Sequence, residues 1–158
     1  MAQTVAGAYR SKMPANRYTV AHHDFRDAIC YLDAVAELDR TLTVASSDAL
    51  FGVNSLLAKA VAAYSGPFRQ GKSEGITFDP IETDPALLFH AAPKHMGLHE
   101  EILGLSITPF SRPDSEHMDI ADFREMAAHM MCYALERQSH AYSQVAHRPI
   151  SLRSPPPR

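Results

Sequence analysis

The chain has 158 residues, of which 46% are hydrophobic, and a formal net charge of -3 at pH 7. This length accommodates one domain with a single sizeable core and leaves no room for a second. The small negative charge disfavours strong non-specific binding to nucleic acid or to an anionic membrane surface.

Both ends of the sequence differ in composition from its middle. Residues 1–17 are interpreted as an N-terminal extension that lacks the apolar run of a signal peptide. Residues 147–158 are rich in proline, which predicts an extended, poorly ordered tail. No apolar segment approaches the length of a membrane span. We therefore expect a cytoplasmic protein, without a membrane partner, whose helical domain covers residues 18–146.

Apolar periodicity predicts two helices in the first half of the chain. The first covers about residues 20–45 and buries a face that contains Phe25, Ala28, Ile29, Leu32, Val35 and Leu42. The second begins near Ser46–Asp48, where side-chain oxygens can cap free backbone N–H groups, and ends near Ser65–Pro67. Its predicted buried face contains Leu50, Val53, Leu57, Ala60 or Val61, and Tyr64.

The second half begins with a loop over residues 66–84, which is rich in glycine and proline. Asp84 followed by Pro85 then predicts a short helix that runs through Ala92. A third main helix over about residues 94–106 is predicted to bury a stripe of Leu98, Ile102 and Leu105. A fourth, over about residues 119–146 with Asp119 as its cap, groups Ile120, Phe123, Ala127, Met130 and Ala134.

No alternating run of strand length competes with these helices, so the predicted fold is an all-α bundle of four or five helices. Its two cysteines, Cys30 and Cys132, lie inside apolar helical patterns and form no CxxC motif. Buried, reduced thiols are therefore expected, and a disulfide between the two remains open.

Two segments carry a resemblance to a known family. One is Ala63-Tyr64-Ser65-Gly66-Pro67-Phe68, and the other is Leu98-His99-Glu100-Glu101-Ile102-Leu103-Gly104-Leu105, which is followed by Asp114 in a loop. With their flanking helices, over about residues 20–140, they resemble the HEPN superfamily of helical-bundle proteins, common among bacterial toxins and defence ribonucleases. The resemblance implies a homodimer formed near the third and fourth helices.

Active HEPN ribonucleases use an Arg and a His for RNA cleavage, which needs a base for the 2′-hydroxyl and a cation near the phosphate. In the register of the resemblance, Ser106 takes the place of the Arg and Arg112 that of the His. Ser106 carries no charge, and a guanidinium does not act as a base near neutral pH. The resemblance therefore implies a degenerate, inactive site.

A shifted register offers an alternative. Arg112 and His117 have a compatible spacing in the loop before the last helix, which would make the protein a metal-independent endoribonuclease. Pro113 restricts Arg112 to extended conformations, away from the helix on which the family presents its Arg. In the competing structural interpretation, Arg112 pairs with Asp114 or Glu116.

The nine histidines raise a second alternative, a metal-binding bundle. His95 and His99 project from one face of a helix with Glu100 beside them, and residues 22–24 could complete a site. The paired Glu-x-x-His signature of di-metal bundles is absent. We therefore predict histidines on the surface or partly buried, with no metal and no cofactor.

One further cluster is a candidate contact for RNA or a partner. Tyr64, Phe68, Arg69 and Lys72 could form a small basic and aromatic platform that stacks a base. In the structural interpretation the two rings close the core instead, and the cations are solvated. We therefore expect a non-catalytic binding or regulatory module with an RNA or protein partner. The resemblance implies that it is a homodimer with a role in bacterial or phage defence.

Overall fold

The computed structural model describes residues 14–41, 47–69, 78, 80–107 and 118–147. These residues form five α-helices: α1 (Pro14–Thr41), α2 (Ser47–Ser65), α3 (Pro85–Leu88), α4 (His95–Ile107) and α5 (Ile120–Ala146). Two short 3₁₀ turns, Gly66–Phe68 and Pro80–Thr83, lie between α2 and α3. The described residues contain no strand, and the predicted all-α bundle is confirmed.

The longest helices, α1 and α5, run antiparallel and form the largest helix interface, followed by that of α1 with α2. Near one end, Arg124 Nε donates to Asp33 Oδ1 at 2.6 Å. Near the other, Gln138 Nε2 donates to Thr19 Oγ1 at 2.7 Å. Helix α4 packs against α2 and α5. None of the helices in these described ranges is long and apolar enough to cross a membrane.

Helix α1 spans Pro14–Thr41 and begins earlier than the predicted start near residue 20. Its predicted end near residue 45 lies outside the described residues. Proline suits a first helical turn, where its missing N–H would have no partner. The helix thus includes residues 14–17, which were interpreted as part of the N-terminal extension. The predicted buried face is confirmed: Phe25, Ala28, Leu32 and Val35 are buried, and Ile29 is partly buried. Leu42 lies outside the described residues.

Helix α2 begins and ends where its signals placed it. Its buried side chains are Val53, Leu57, Ala60, Val61 and Tyr64. Leu50 was predicted to join them but is 49% exposed. It lies in the first turn of α2, beside the last turns of α1, where Leu38 is exposed as well.

In the segment predicted as a loop after α2, the described residues include the two 3₁₀ turns. Asp84 caps α3 as expected, since its Oδ1 accepts from the backbone N–H of Ala86 at 3.0 Å. The helix ends at Leu88, four residues earlier than predicted. Phe89 leaves the helical conformation, with φ of -113°, and its ring is fully buried.

The predicted bounds of α4 hold within a residue, but full burial of its predicted stripe is confirmed only at Ile102. The buried side chains are His95, His99 and Ile102, while Leu98 and Leu105 are only partly buried. Asp119 caps α5 through the backbone N–H of Asp122 at 2.9 Å. As predicted, α5 buries Phe123, Ala127, Met130 and Ala134, whereas Ile120 is only partly buried.

The two cysteines are free thiols, and both are exposed, so the prediction of buried thiols is wrong. Cys30 lies two residues from Ala28 and from Leu32, which are both buried. Cys132 has the same relation to Met130 and Ala134. Two residues correspond to about 200° of rotation on an α-helix, so each cysteine faces away from the core.

Candidate functional site

His99 lies at the centre of the bundle, where α2, α4 and α5 meet. A hydrogen bond of 2.7 Å joins its Nδ1 atom to the hydroxyl of Tyr64 on α2. The imidazole is fully buried, with the centroid of Phe68 at 4.7 Å and that of Phe89 at 5.2 Å, both edge-on. The side chain is therefore enclosed by aromatic rings and touches one polar group.

This enclosure decides the charge of the imidazole. Burial disfavours the protonated form and lowers the pKa of His99 to about 4. The Nε2 atom is buried as well, and it has no hydrogen-bond partner among the residues that the structure describes. His99 is therefore neutral near pH 7 and is shielded from any substrate in solution.

His95 lies one turn before His99 and is also buried. Its ring is edge-on to Phe89 at 5.8 Å and 6.2 Å from the ring of His129 on α5. Burial lowers the pKa of His95, although Glu125, whose Oε1 lies 3.9 Å from Nε2, opposes this effect. The expectation of histidines on the surface or partly buried is therefore wrong for this pair.

The alternative metal site at His95 and His99 lacks suitable neighbours. Among the residues that the structure describes, no three His, Cys, Asp or Glu side chains form a group able to hold a metal ion. The carboxylates nearest to His95 contact a cation already: Lys94 Nζ lies 2.8 Å from Glu125 and 3.6 Å from Asp122. Within the described ranges, the hydrogen-bond partner of His99 is the Tyr64 hydroxyl.

The basic and aromatic platform is not available as predicted. Tyr64 and Phe68 are both buried, and their rings pack on each other at 5.5 Å, so neither can stack a base. Arg69 is exposed, and its Nη2 donates to the carbonyl of Ser106 at 3.4 Å. Lys72 lies outside the described residues. The structural interpretation, in which these rings close the core, is the one that the structure supports.

Of the two positions expected to be degenerate, Ser106 lies within the described residues and Arg112 does not. Ser106 lies in the last turn of α4, and its hydroxyl donates to the carbonyl of Leu103 at 2.8 Å. Arg112 lies outside the described residues, as does His117. The endoribonuclease alternative at Arg112 and His117 therefore stays a prediction.

The structure contains a second buried polar cluster that the sequence did not reveal, centred on Glu82. This residue lies in the second 3₁₀ turn and is buried. Its Oε1 accepts from the hydroxyl of Tyr18 at 2.7 Å and from that of Tyr133 at 3.3 Å. Arg17 Nη2 lies 3.7 Å from Oε2, and Arg137 Nε lies 3.9 Å from Oε1. Helices α1 and α5 thus each supply one tyrosine and one arginine.

The electrostatics of the Glu82 cluster keep the two hydroxyls protonated. Burial raises the pKa of Tyr18 and of Tyr133, and the negative charge of Glu82 raises both further. Each hydroxyl therefore remains an O–H donor toward the carboxylate. No local sequence motif predicts this cluster, because Tyr18 and Tyr133 lie 64 and 51 residues from Glu82 in the sequence.

Asp24 on α1 is a third group with a displaced pKa. Partial burial, with the neighbouring charge of Asp27, raises its pKa to about 6, against a smaller opposing effect of His23. A Cβ atom added at Gly66 would lie 3.0 Å from Asp24 Oδ2. Glycine at the end of α2 therefore leaves the space that this carboxylate uses.

We expect the variant Asp24→Asn to be more stable than the wild type by about 1 kcal/mol at pH 8. The raised pKa means that the folded state disfavours the charged carboxylate, and the resulting loss of stability is present above pH 6 and disappears as the pH falls toward 4. Urea denaturation of the wild type and the variant measures this stability difference at pH 8 and its decrease at pH 4.5. Asp39→Asn, at an exposed position of the same helix, is the control. A destabilised Asp24→Asn at pH 8 would contradict the expectation.

Comparison of the chain with protein-family models, with curated proteins and with solved structures found no match. The resemblance to the HEPN superfamily therefore stays a prediction.

Proposed function

We propose that this chain is a non-catalytic binding module built on a diverged HEPN-like bundle. It acts as a homodimer in the cytoplasm, and its ancestry points to a role in bacterial or phage defence. The observation that carries the proposal is the use of His95 and His99 as packing side chains, since histidine is the residue most often used for acid–base catalysis near neutral pH.

The environment of His99 argues against a catalytic role for it. A general base must reach the proton that it removes, directly or through one water. His99 is enclosed by Phe68 and Phe89, and its Nδ1 atom is engaged by the Tyr64 hydroxyl. With a pKa of about 4, it is also a weak base at pH 7. Its role is to pack the core.

Exposed apolar side chains support a binding role. Phe51 is 67% exposed next to Leu50 at the start of α2, and Leu87 on α3 is 57% exposed. Large apolar groups on a surface contribute to association when a partner removes them from water. These positions supply contact area for a partner, which agrees with a module whose task is binding.

The proposal is tested with purified protein and total RNA in the presence of EDTA. We expect the RNA to remain intact, and sedimentation velocity to give twice the mass of the monomer. The informative variants are Arg112→Ala and His117→Ala. Cleavage by the wild type that disappears in both variants would establish the endoribonuclease instead, and a monomer at all concentrations would refute the homodimer.

A further inference from the structure

The donors around Glu82 are positioned by their own helices. On α1, Arg17 lies over the ring of Tyr18 at 4.8 Å, and its Nη2 donates to the Tyr18 hydroxyl at 2.9 Å. On α5, Arg137 lies over the ring of Tyr133 at 5.4 Å, and its Nε donates to that hydroxyl at 3.2 Å. Each Arg–Tyr pair is thus held by cation–π contact and a hydrogen bond that do not involve Glu82.

The two pairs face each other across a common aromatic floor. The ring of Phe78 lies 6.0 Å from that of Tyr18 and 6.0 Å from that of Tyr133. The antiparallel packing of α1 and α5 fixes the spacing between the pairs. Two phenol O–H donors and two guanidinium groups converge there on one planar, two-oxygen anion, which is an arrangement suited to a carboxylate.

Glu82, the carboxylate that these donors contact in this structure, belongs to a short element. Glu82 lies in a 3₁₀ turn of four residues, whose main contacts are with the neighbouring α3. A turn of four residues has fewer backbone hydrogen bonds to lose than a long helix, so it can separate from the bundle at a lower cost. Arg137 is also 48% exposed in its side chain, so the site borders solvent.

We propose that Arg17, Tyr18, Tyr133 and Arg137 form a recognition site for an acidic side chain of a partner protein, which Glu82 fills in the free protein. The inference rests on the proposed binding function and names the chemistry of the partner. A glutamate or aspartate of the partner replaces Glu82 in the site, and the 3₁₀ turn moves away. The internal carboxylate thereby lowers the apparent affinity for the partner, because it occupies the site in the free state.

The experiment measures fluorescence anisotropy of a labelled hexaglutamate peptide at low salt. We expect Glu82→Ala to bind the peptide about tenfold more tightly than the wild type does, since the internal competitor is gone. Adding Arg137→Gln to that variant should remove the gain. Glu82→Gln keeps the shape of the side chain but not its charge, so it should also bind the peptide more tightly than the wild type. This variant replaces Glu82→Ala in the experiment if Glu82→Ala does not fold.

Matched controls separate a specific site from general charge effects. Glu101→Ala removes an exposed carboxylate from α4, and Arg40→Gln removes an exposed guanidinium from α1. We expect Glu101→Ala not to raise the peptide affinity as Glu82→Ala does, and Arg40→Gln not to remove the gain as Arg137→Gln does. Hexaglutamine should not bind. An equal gain for Glu101→Ala, or no gain for both Glu82 variants, would overturn the proposal.

A second arm replaces the peptide with inorganic phosphate and follows the thermal midpoint of Glu82→Ala. Stabilisation by phosphate without binding of hexaglutamate would identify a site for phosphate instead of an acidic side chain, and would overturn the proposal. The RNA assay is independent of these results. Cleaved RNA refutes the proposed function, whereas intact RNA without peptide binding refutes only the acidic-side-chain site.

Discussion

Replacing Phe89 with alanine is expected to lower the free energy of unfolding by about 3–5 kcal/mol. The ring is fully buried and is the shared neighbour of three histidines, with centroids 5.8 Å from His95, 5.2 Å from His99 and 5.7 Å from His129. Its removal leaves a cavity beside side chains that rely on it for shielding from water. Urea denaturation followed by circular dichroism measures the loss.

Phe51→Ala is the matched control for this substitution. The same side chain is removed, but Phe51 is 67% exposed, so the expected loss is below about 0.5 kcal/mol. Similar losses for the two variants would contradict the description of the core around Phe89.

A second large effect is expected from His99 when the pH is lowered. Its pKa is about 4 in the folded protein and about 6.5 in the unfolded chain, so the unfolded chain binds the proton more readily. The stability that the neutral, buried imidazole provides is complete above pH 6.5 and is lost as the pH falls toward 4. The loss amounts to about 2 kcal/mol between pH 7.5 and pH 5.

The pH effect is measured as a difference between the wild type and His99→Gln, because Asp24 changes the stability in the opposite direction over part of the same range. The stability advantage of the wild type over the variant should shrink by the stated amount between pH 7.5 and pH 5. His140→Gln, at an exposed position of α5, should show no such change. A proton NMR titration of His99 with a midpoint near 6.5 would refute the expectation.

The helices could be predicted from local patterns in the sequence. The face of Phe25, Ala28, Leu32 and Val35 on α1 is buried as its spacing indicated, because apolar residues that recur every three or four positions share one side of a helix. Capping signals did equally well where a side chain acts on its own helix, as Asp84 and Asp119 do.

The pattern failed on α4, where leucine competes with histidine for the buried face. Periodicity favoured Leu98 and Leu105, since histidine counts as a polar residue. His99 can be buried because a hydroxyl on another helix, 35 residues away, contacts its Nδ1 atom, and because the aromatic rings around it fit a neutral imidazole. Such a partner is a property of the tertiary structure and leaves no local signal.

The same reason explains why Glu82 was missed. Its segment was interpreted as loop from its glycines and prolines, and a carboxylate in a loop is expected in water. The burial depends on hydroxyls from two helices that become neighbours only when α1 and α5 pair. Candidate sites that draw on several elements are therefore the part of this protein that one sequence predicts least well.

Because α1 pairs with α5, the fold cannot be completed during synthesis until α5 has been made. The contact between Thr19 and Gln138 spans 119 residues. At a translation rate of about 5–20 residues per second, on the order of ten seconds pass between the emergence of these two partners. In that interval Phe25 and Leu32 on the nascent α1 have α2 but not α5 to cover them. A chain whose translation stops before α5 therefore lacks the largest helix interface of α1 and has an incompletely covered core.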